Sequence, residues 1–178
     1  MKIVVLASGS GTLAQAIFDA GFDVTALICD KEGAEVLERA KKSDIPTFLH
    51  PMKSDRIAWN TELLKLLESL TPDLVVSAGF MRILAPEITQ KFKIINSHPA
   101  LLPLFPGAHA VRDALAAGAV ETGTTIHWVD AGVDTGEIIA QERVPIQSGD
   151  TEESLHERIK IVERGLIVAT IRTLQESL

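Results

Sequence analysis

The chain has 178 residues, of which 46% are hydrophobic and 23% charged, and it carries a formal net charge of −7. That length suits one well-buried domain, that composition excludes a disordered chain, and the acidic balance excludes a general nucleic-acid binder while leaving room for a local basic pocket. A single cysteine, Cys29, rules out an intrachain disulfide and fits a reducing compartment.

Read in chain order, the first apolar run is "KIVVL", a β-branched stretch typical of a strand buried on both faces. It is too short for a signal peptide, and no segment approaches the roughly 20 apolar residues that cross a bilayer, so a cytoplasmic protein is expected. A glycine turn and a helix near Thr12 to Ala20 follow, then "DVTALIC" as a second buried strand, "GAEVLERAKKS" as a helix and "PTFLH" as a short strand. In "SDRIAWNTELLKLLESL" the apolar residues Trp59, Leu63, Leu66, Leu67 and Leu70 share one helical face, and Ser54 is the expected N-cap. "DLVVSAG" and "KIINS" read as further buried strands. This alternation of strand and helix predicts a parallel sheet covered by helices, with right-handed connections.

From about Glu121 the pattern changes. "TGTTIHWV" and "GEIIAQERVPI" are two strand-like runs joined by a glycine-containing loop, as in an antiparallel pair. Asp150 and Glu153 have the spacing of a capping box, and Leu155, Ile159, Val162 and Leu166 then recur at helical intervals. No repeat, low-complexity tract or linker interrupts the chain, so residues 1–178 are expected to form a single domain.

Two segments carry chemistry. "SGSGTLA", Ser8 to Ala14, lies between the first strand and the first helix, where glycines allow close backbone approach and a helix start offers N–H groups and a positive dipole end to a phosphate. Gly9-x-Gly11-x-x-Ala14 also fits the dinucleotide fingerprint, with Asp30 as the acid at the end of the second strand, so a nicotinamide-dependent oxidoreductase is the rival reading. In "IINSHP" the strand period of two projects Asn96 and His98 to one face and Ser97 to the other, and Pro99 stops the strand. Ligands of open parallel sheets bind beyond the carboxyl ends of strands. A carboxamide donor beside an imidazole there suits stabilisation of an oxyanion and transfer of a proton. Asp130 or Asp134, in the loop "VDAGVDTG", could orient the imidazole, and spacing does not choose between them. A metal site of His98, His127, Asp130 and Asp134 has no recognised ligand spacing behind it.

Together "VVLASGSGT", "SAGFMRIL", "INSHPALLPLFPG" and "TGTTIHWVDAGVDTGEII" resemble the folate-dependent formyltransferases, and within them the phosphoribosylglycinamide formyltransferase branch, from residue 2 to about 172. The "FPG" after Leu-Leu-Pro distinguishes that branch from the related methionyl-tRNA enzymes. The resemblance implies an α/β Rossmann-like formyltransferase fold, a mostly parallel sheet flanked by helices, with antiparallel strands near the C-terminal part. It implies formyl transfer from 10-formyltetrahydrofolate, a co-substrate, to the amine of 5-phosphoribosylglycinamide in purine biosynthesis. No metal, membrane or nucleic acid takes part, and a homodimer is among the assemblies it allows.

The family's catalytic trio carries over to Asn96, His98 and Asp134. Its ribonucleotide site carries over to Ser10, Gly11, Thr12 and Leu13, with Glu163 for the ribose hydroxyls. Its folate pocket carries over to Arg56, to Met81, Arg82, Ile83 and Leu84, and to the loop from Val129 and Asp130 to Asp134, with backbone amides at 82 and 84 reading the pterin edge. The chain departs from the family pattern at Leu13, Leu104 and Ala110, where asparagine, lysine and histidine are frequent.

Overall fold

The structure, a computed structural model, describes residues 1–177. The chain divides into two compact units, Met1–Asn96 and the remainder from Ser97 on.

In the first unit, strands β1 (Ile3–Ala7), β2 (Val24–Cys29), β3 (Thr47–Leu49), β4 (Leu74–Ser77) and the start of β5 (Ile94–His98) all pair in parallel. β1 and β4 are buried along their whole length, as expected for continuous Val/Ile/Leu runs covered on both faces. Helices α1 (Thr12–Asp19), α2 (Glu35–Lys42) and α3 (Arg56–Leu70) connect the first four strands, and the single turn α4 (Pro86–Thr89) precedes β5. On α3 the face of Trp59, Leu63 and Leu67 is fully buried, while Leu66 and Leu70 are half-buried at its edge. Its N-cap is Asp55, not Ser54: the Asp55 carboxylate accepts from the Ala58 N–H at 3.0 Å. Either residue type caps well, so the choice rests on where the chain turns into the helix.

In the second unit, α5 (Ala110–Ala116) precedes an antiparallel pair, β6 (Glu121–Trp128) with β7 (Ile138–Pro145), and the chain ends in the long helix α6 (Glu152–Ser177). Val111 of α5, Val144 of β7 and Leu155 and Ile159 of α6 form its core, with Leu115, Ile146 and Val162 at the margin. The α6 start is closed by Thr151 and Ser154, each backbone N–H donating to the other's hydroxyl at 3.0 and 3.1 Å. The expected box of Asp150 and Glu153 is therefore displaced by one residue. Asp150 instead accepts from Ser154 Oγ, from the Gln147 N–H and from Arg158, an Arg that also reaches the Pro145 carbonyl at the end of β7.

Within the first unit the strand order is β3-β2-β1-β4-β5, and β5 runs on across the boundary into the second. The mostly parallel sheet with an antiparallel C-terminal pair thus agrees with the expectation. α4 and α5 have no counterpart in the periodicity argument, because four- and seven-residue helices are too short to display it.

Candidate active site

β5 ends in Asn96, Ser97 and His98. Its burial runs inward at Ile94 and Ile95, is partial at Asn96, and returns to buried at Ser97 and His98. Asn96 and His98 stand two apart and share a strand face, while Ser97 turns to the other, where its hydroxyl donates to Glu163 of α6 at 2.5 Å and lies 3.4 Å from Thr124 Oγ1.

The His98 ring is held at both nitrogens. Nδ1 lies 3.3 Å from Asp134 Oδ2, and Nε2 lies 2.8 Å from the Phe105 carbonyl oxygen. Both partners are acceptors, so a neutral imidazole can donate to only one at a time and an imidazolium to both. Asp134 is half-buried and is held in turn by the Gly107 N–H at 2.8 Å, and its Oδ1 lies 3.5 Å from Nε2 of the buried His127. Burial alone would push its carboxyl up. Hydrogen bonds from His127 and Gly107, with the charges of the two histidines, outweigh that and hold it below the ordinary carboxylate range.

Local backbone devices place these groups. Phe105 and Asp134 both have left-handed backbone, at φ 52° and 54°, conformations that cost a non-glycine residue energy and recur where geometry is over-determined by function. Between Ile126 and His127 the β6–β7 register slips, and such bulges re-aim a side chain. At Gly136 a Cβ would lie 1.7 Å from the Trp128 carbonyl oxygen, so only glycine lets the 129–136 loop fold back here. The 99–107 segment is pinned by Thr125, whose hydroxyl donates to the Ala100 carbonyl and accepts from the Leu102 N–H, and by Gln141 on the Leu102 carbonyl. A largely apolar cleft of about 310 Å³ opens beside Asp134, lined by Leu102, Pro103, Pro106, Val133 and Ile138.

Spacing left Asp130 and Asp134 open. Asp130 is exposed, and its carboxylate is engaged by the Thr135 hydroxyl at 2.7 Å and the Gly132 N–H at 3.0 Å. Those bonds, that of Thr135 first, hold its carboxyl low. It shapes the loop, while Asp134 faces the imidazoles. Val129 leads from β6 into that loop and is half-buried. Sequence reasoning missed the parts played by the Phe105 carbonyl and the Gly107 N–H, because backbone groups carry no side-chain signature. From sequence His127 reads only as a candidate metal ligand, whereas its Nε2 lies 3.5 Å from Asp134 Oδ1.

In the first unit, Gly11 is the N-cap of α1 in left-handed conformation, with no side chain closing the helix start and no acidic residue in its first turn. The Ser10, Gly11, Thr12 and Leu13 backbone therefore presents the uncapped positive end of a helix. The Leu13 side chain lies in the core, so its own contribution can only be through backbone. Arg39 donates from Nε to the Ser10 carbonyl at 2.7 Å, which sets a guanidinium against the turn. Of the residues expected at the folate, Arg56, first residue of α3, donates to the Ile83 carbonyl at 3.1 Å and lies 5.4 Å from the Trp59 ring centre. Leu84 is buried, whereas Met81 is 68% and Ile83 59% exposed.

Asp30, the acid of the dinucleotide reading, is only 4% exposed, and its carboxylate is taken by Arg82 Nε at 2.5 Å. A ribose-binding acid must face the ligand, so the fingerprint loses its partner. Glu163 is half-buried on α6, and burial pushes its carboxyl up, partly offset by the Ser97 hydroxyl.

Fold and site together define an α/β protein whose strand β5 ends in a carboxamide and an imidazole, the imidazole paired with the Asp134 carboxylate. The formyl transferase family model matches residues 1–171, and the chain belongs to that family. It is 47% identical to the phosphoribosylglycinamide formyltransferase of Mycobacterium tuberculosis, over 97% of this chain and 84% of that protein. Among solved structures, the glycinamide ribonucleotide transformylase 1 of Symbiobacterium toebii superposes with a TM-score of 0.96 at 38% identity, covering 99% of this chain and 88% of that one. The phosphoribosylglycinamide formyltransferase of Streptococcus pneumoniae does so at 0.92 and 41%, covering 97% and 98%.

Proposed function

We propose that this chain transfers the formyl group of 10-formyltetrahydrofolate to the amine of 5-phosphoribosylglycinamide, a step of purine biosynthesis. The observation that carries the proposal is the His98–Asp134 pair at the end of β5, two residues from Asn96. The amine nitrogen attacks the formyl carbon, and the carbonyl electron pair moves onto oxygen. Asn96 donates to that oxyanion, and imidazolium His98 does so through its Nε2–H once that N–H leaves the Phe105 carbonyl. Asp134 keeps the imidazole oriented through Nδ1. As the oxyanion collapses, the bond from the formyl carbon to the folate nitrogen breaks, and a proton lost by the amine reaches that nitrogen, with His98 and Asp134 as its relay. The reaction balances without a metal or redox cofactor.

The remaining assignments follow the same reading. Ser10, Gly11, Thr12 and Leu13 hold the phosphate through backbone N–H groups, and Glu163 takes the ribose hydroxyls once the Ser97 hydroxyl yields. Arg56 and the 81–84 segment hold the folate, with Met81 and Ile83 as its exposed apolar contacts, and Val129 and Asp130 belong to the loop that closes over the pterin. Small soluble substrates and a single cysteine fit the cytoplasmic location expected from the sequence.

The test is a spectrophotometric assay with 10-formyltetrahydrofolate, with and without phosphoribosylglycinamide. Acceptor-dependent formation of tetrahydrofolate is the expected result. Donor binding with no turnover on this acceptor would assign the enzyme to another amine.

A further inference from the structure

The segment from Gly79 to Ala85 leaves β4 through a left-handed glycine, φ 74°, and alternates buried Phe80 and Leu84 with exposed Met81 and Ile83. Four side chains from elsewhere in the same unit hold it. The Ser8 hydroxyl accepts the Met81 N–H at 2.9 Å, Asp30 Oδ2 takes Arg82 Nε at 2.5 Å, Arg56 donates to the Ile83 carbonyl at 3.1 Å, and Asn60 Oδ1 accepts the Ala85 N–H at 3.1 Å. Every residue from 81 to 85 except Leu84 is thus fixed by a side-chain hydrogen bond, and Leu84 is fixed by burial.

Asp30 is the anchor that stability does not explain. Its carboxylate is almost wholly buried, and its second oxygen, Oδ1, is buried without a hydrogen-bond partner. A half-satisfied buried carboxylate costs folding free energy, and a buried ion pair is often no better than the apolar residues that could replace it. What the pair does supply is position: Arg82 is one-third exposed, and its charged end is tied to the rigid end of β2, which sits beside the glycine turn in the parallel sheet. Backbone amides can read a flat heterocycle only if they are held within fractions of an ångström of the productive geometry.

We propose that Asp30 is a positioning residue for the formyl donor: through Arg82 it fixes the 81–84 backbone against which the pterin binds. This rests on the formyl-transfer reading. It also gives a function to the acid that the dinucleotide fingerprint singled out and that the reaction itself does not use.

The experiment compares wild type, Asp30→Asn, Asp30→Glu and Arg82→Gln, with the double variant Asp30→Asn/Arg82→Gln. KM for 10-formyltetrahydrofolate, KM for phosphoribosylglycinamide and saturating kcat are measured, with calorimetric binding of tetrahydrofolate as an activity-independent readout. Asp30→Asn should raise the donor KM and weaken tetrahydrofolate binding about tenfold, the scale of one charged hydrogen bond, while the acceptor KM and kcat stay within about twofold. Asp30→Glu should recover part of that loss, and the double variant should be no worse than the poorer single one. Should Asp30→Asn fail to fold, Arg82→Gln breaks the pair from its exposed end and should likewise raise the donor KM and weaken tetrahydrofolate binding. A purely structural role would lower the melting temperature and active fraction and leave the donor KM alone; that result overturns the proposal. Wild type that binds no folate would overturn the formyl-transfer reading and this proposal with it.

Discussion

Asp134 lies between two imidazoles, 3.3 Å from His98 Nδ1 through one oxygen and 3.5 Å from His127 Nε2 through the other. Its charge is shared by two rings, and Gly107 supplies the remaining hydrogen bond. The carboxylate can therefore keep its charge despite partial burial, and His98 is held through both ring nitrogens.

Replacing His98 by alanine should remove an oxyanion donor and the proton relay together. We expect kcat to fall by about 10²–10⁴-fold, the usual range for positioned acid–base groups, with tetrahydrofolate binding retained. Steady-state kinetics with calorimetry reads both, and near-normal turnover would discard the mechanism.

Asp134→Asn keeps the size of the side chain, and asparagine tolerates the left-handed backbone found at φ 54°. Turnover should fall by about 10²-fold or more with both KM values little changed. The variant also reports on stability. Because the Asp134 carboxyl is held below the ordinary range, its ionised form stabilises the fold. That contribution is whole above the ordinary carboxylate pKa and is lost as pH falls through the lowered folded value. The melting-temperature gap between wild type and variant should accordingly close on acidification; a gap that widened toward acid would contradict the sign.

Gly11→Ala should damage the glycine turn twice. The residue has φ 75°, and a Cβ there would come within 2.4 Å of Val36 Cγ2. We expect a loss of about 1–3 kcal/mol of stability together with a raised KM for the ribonucleotide. Thermal unfolding and kinetics at low temperature separate the two, and an unchanged acceptor KM would remove the turn from the phosphate site.

Glu163→Gln inverts the usual pH argument. A carboxyl pushed up by burial favours the fold while protonated, and that advantage is lost as pH rises through its folded value. The glutamine variant should melt higher than wild type near neutral pH, the difference vanishing in acid, and should bind the ribonucleotide more weakly. A lower melting temperature at neutral pH would mean that the Ser97 contact outweighs the buried charge.

As the single domain expected from the sequence, the chain should unfold in one calorimetric transition, and two resolved transitions would divide it near Asn96 and Ser97.

The sequence by itself determined the seven strands, the four longer helices and the identity of the chemical groups at the end of β5. Continuous β-branched runs and helical periodicity are local properties, and a period of two fixes which side chains share a face. Tertiary structure alone decided the rest. The caps moved by one residue, from Ser54 to Asp55 and from the pair Asp150/Glu153 to Thr151/Ser154, because several good capping residues sit in a row and the chain path selects among them. Asp134 was separated from Asp130 by hydrogen bonds from Gly107 and Thr135 that join distant or backbone groups. Asp30, well placed for a ribose by spacing, was turned inward by Arg82, 52 residues away in the chain. Such choices depend on which partner is within 3 Å after folding, and a linear pattern of residue types does not contain that distance.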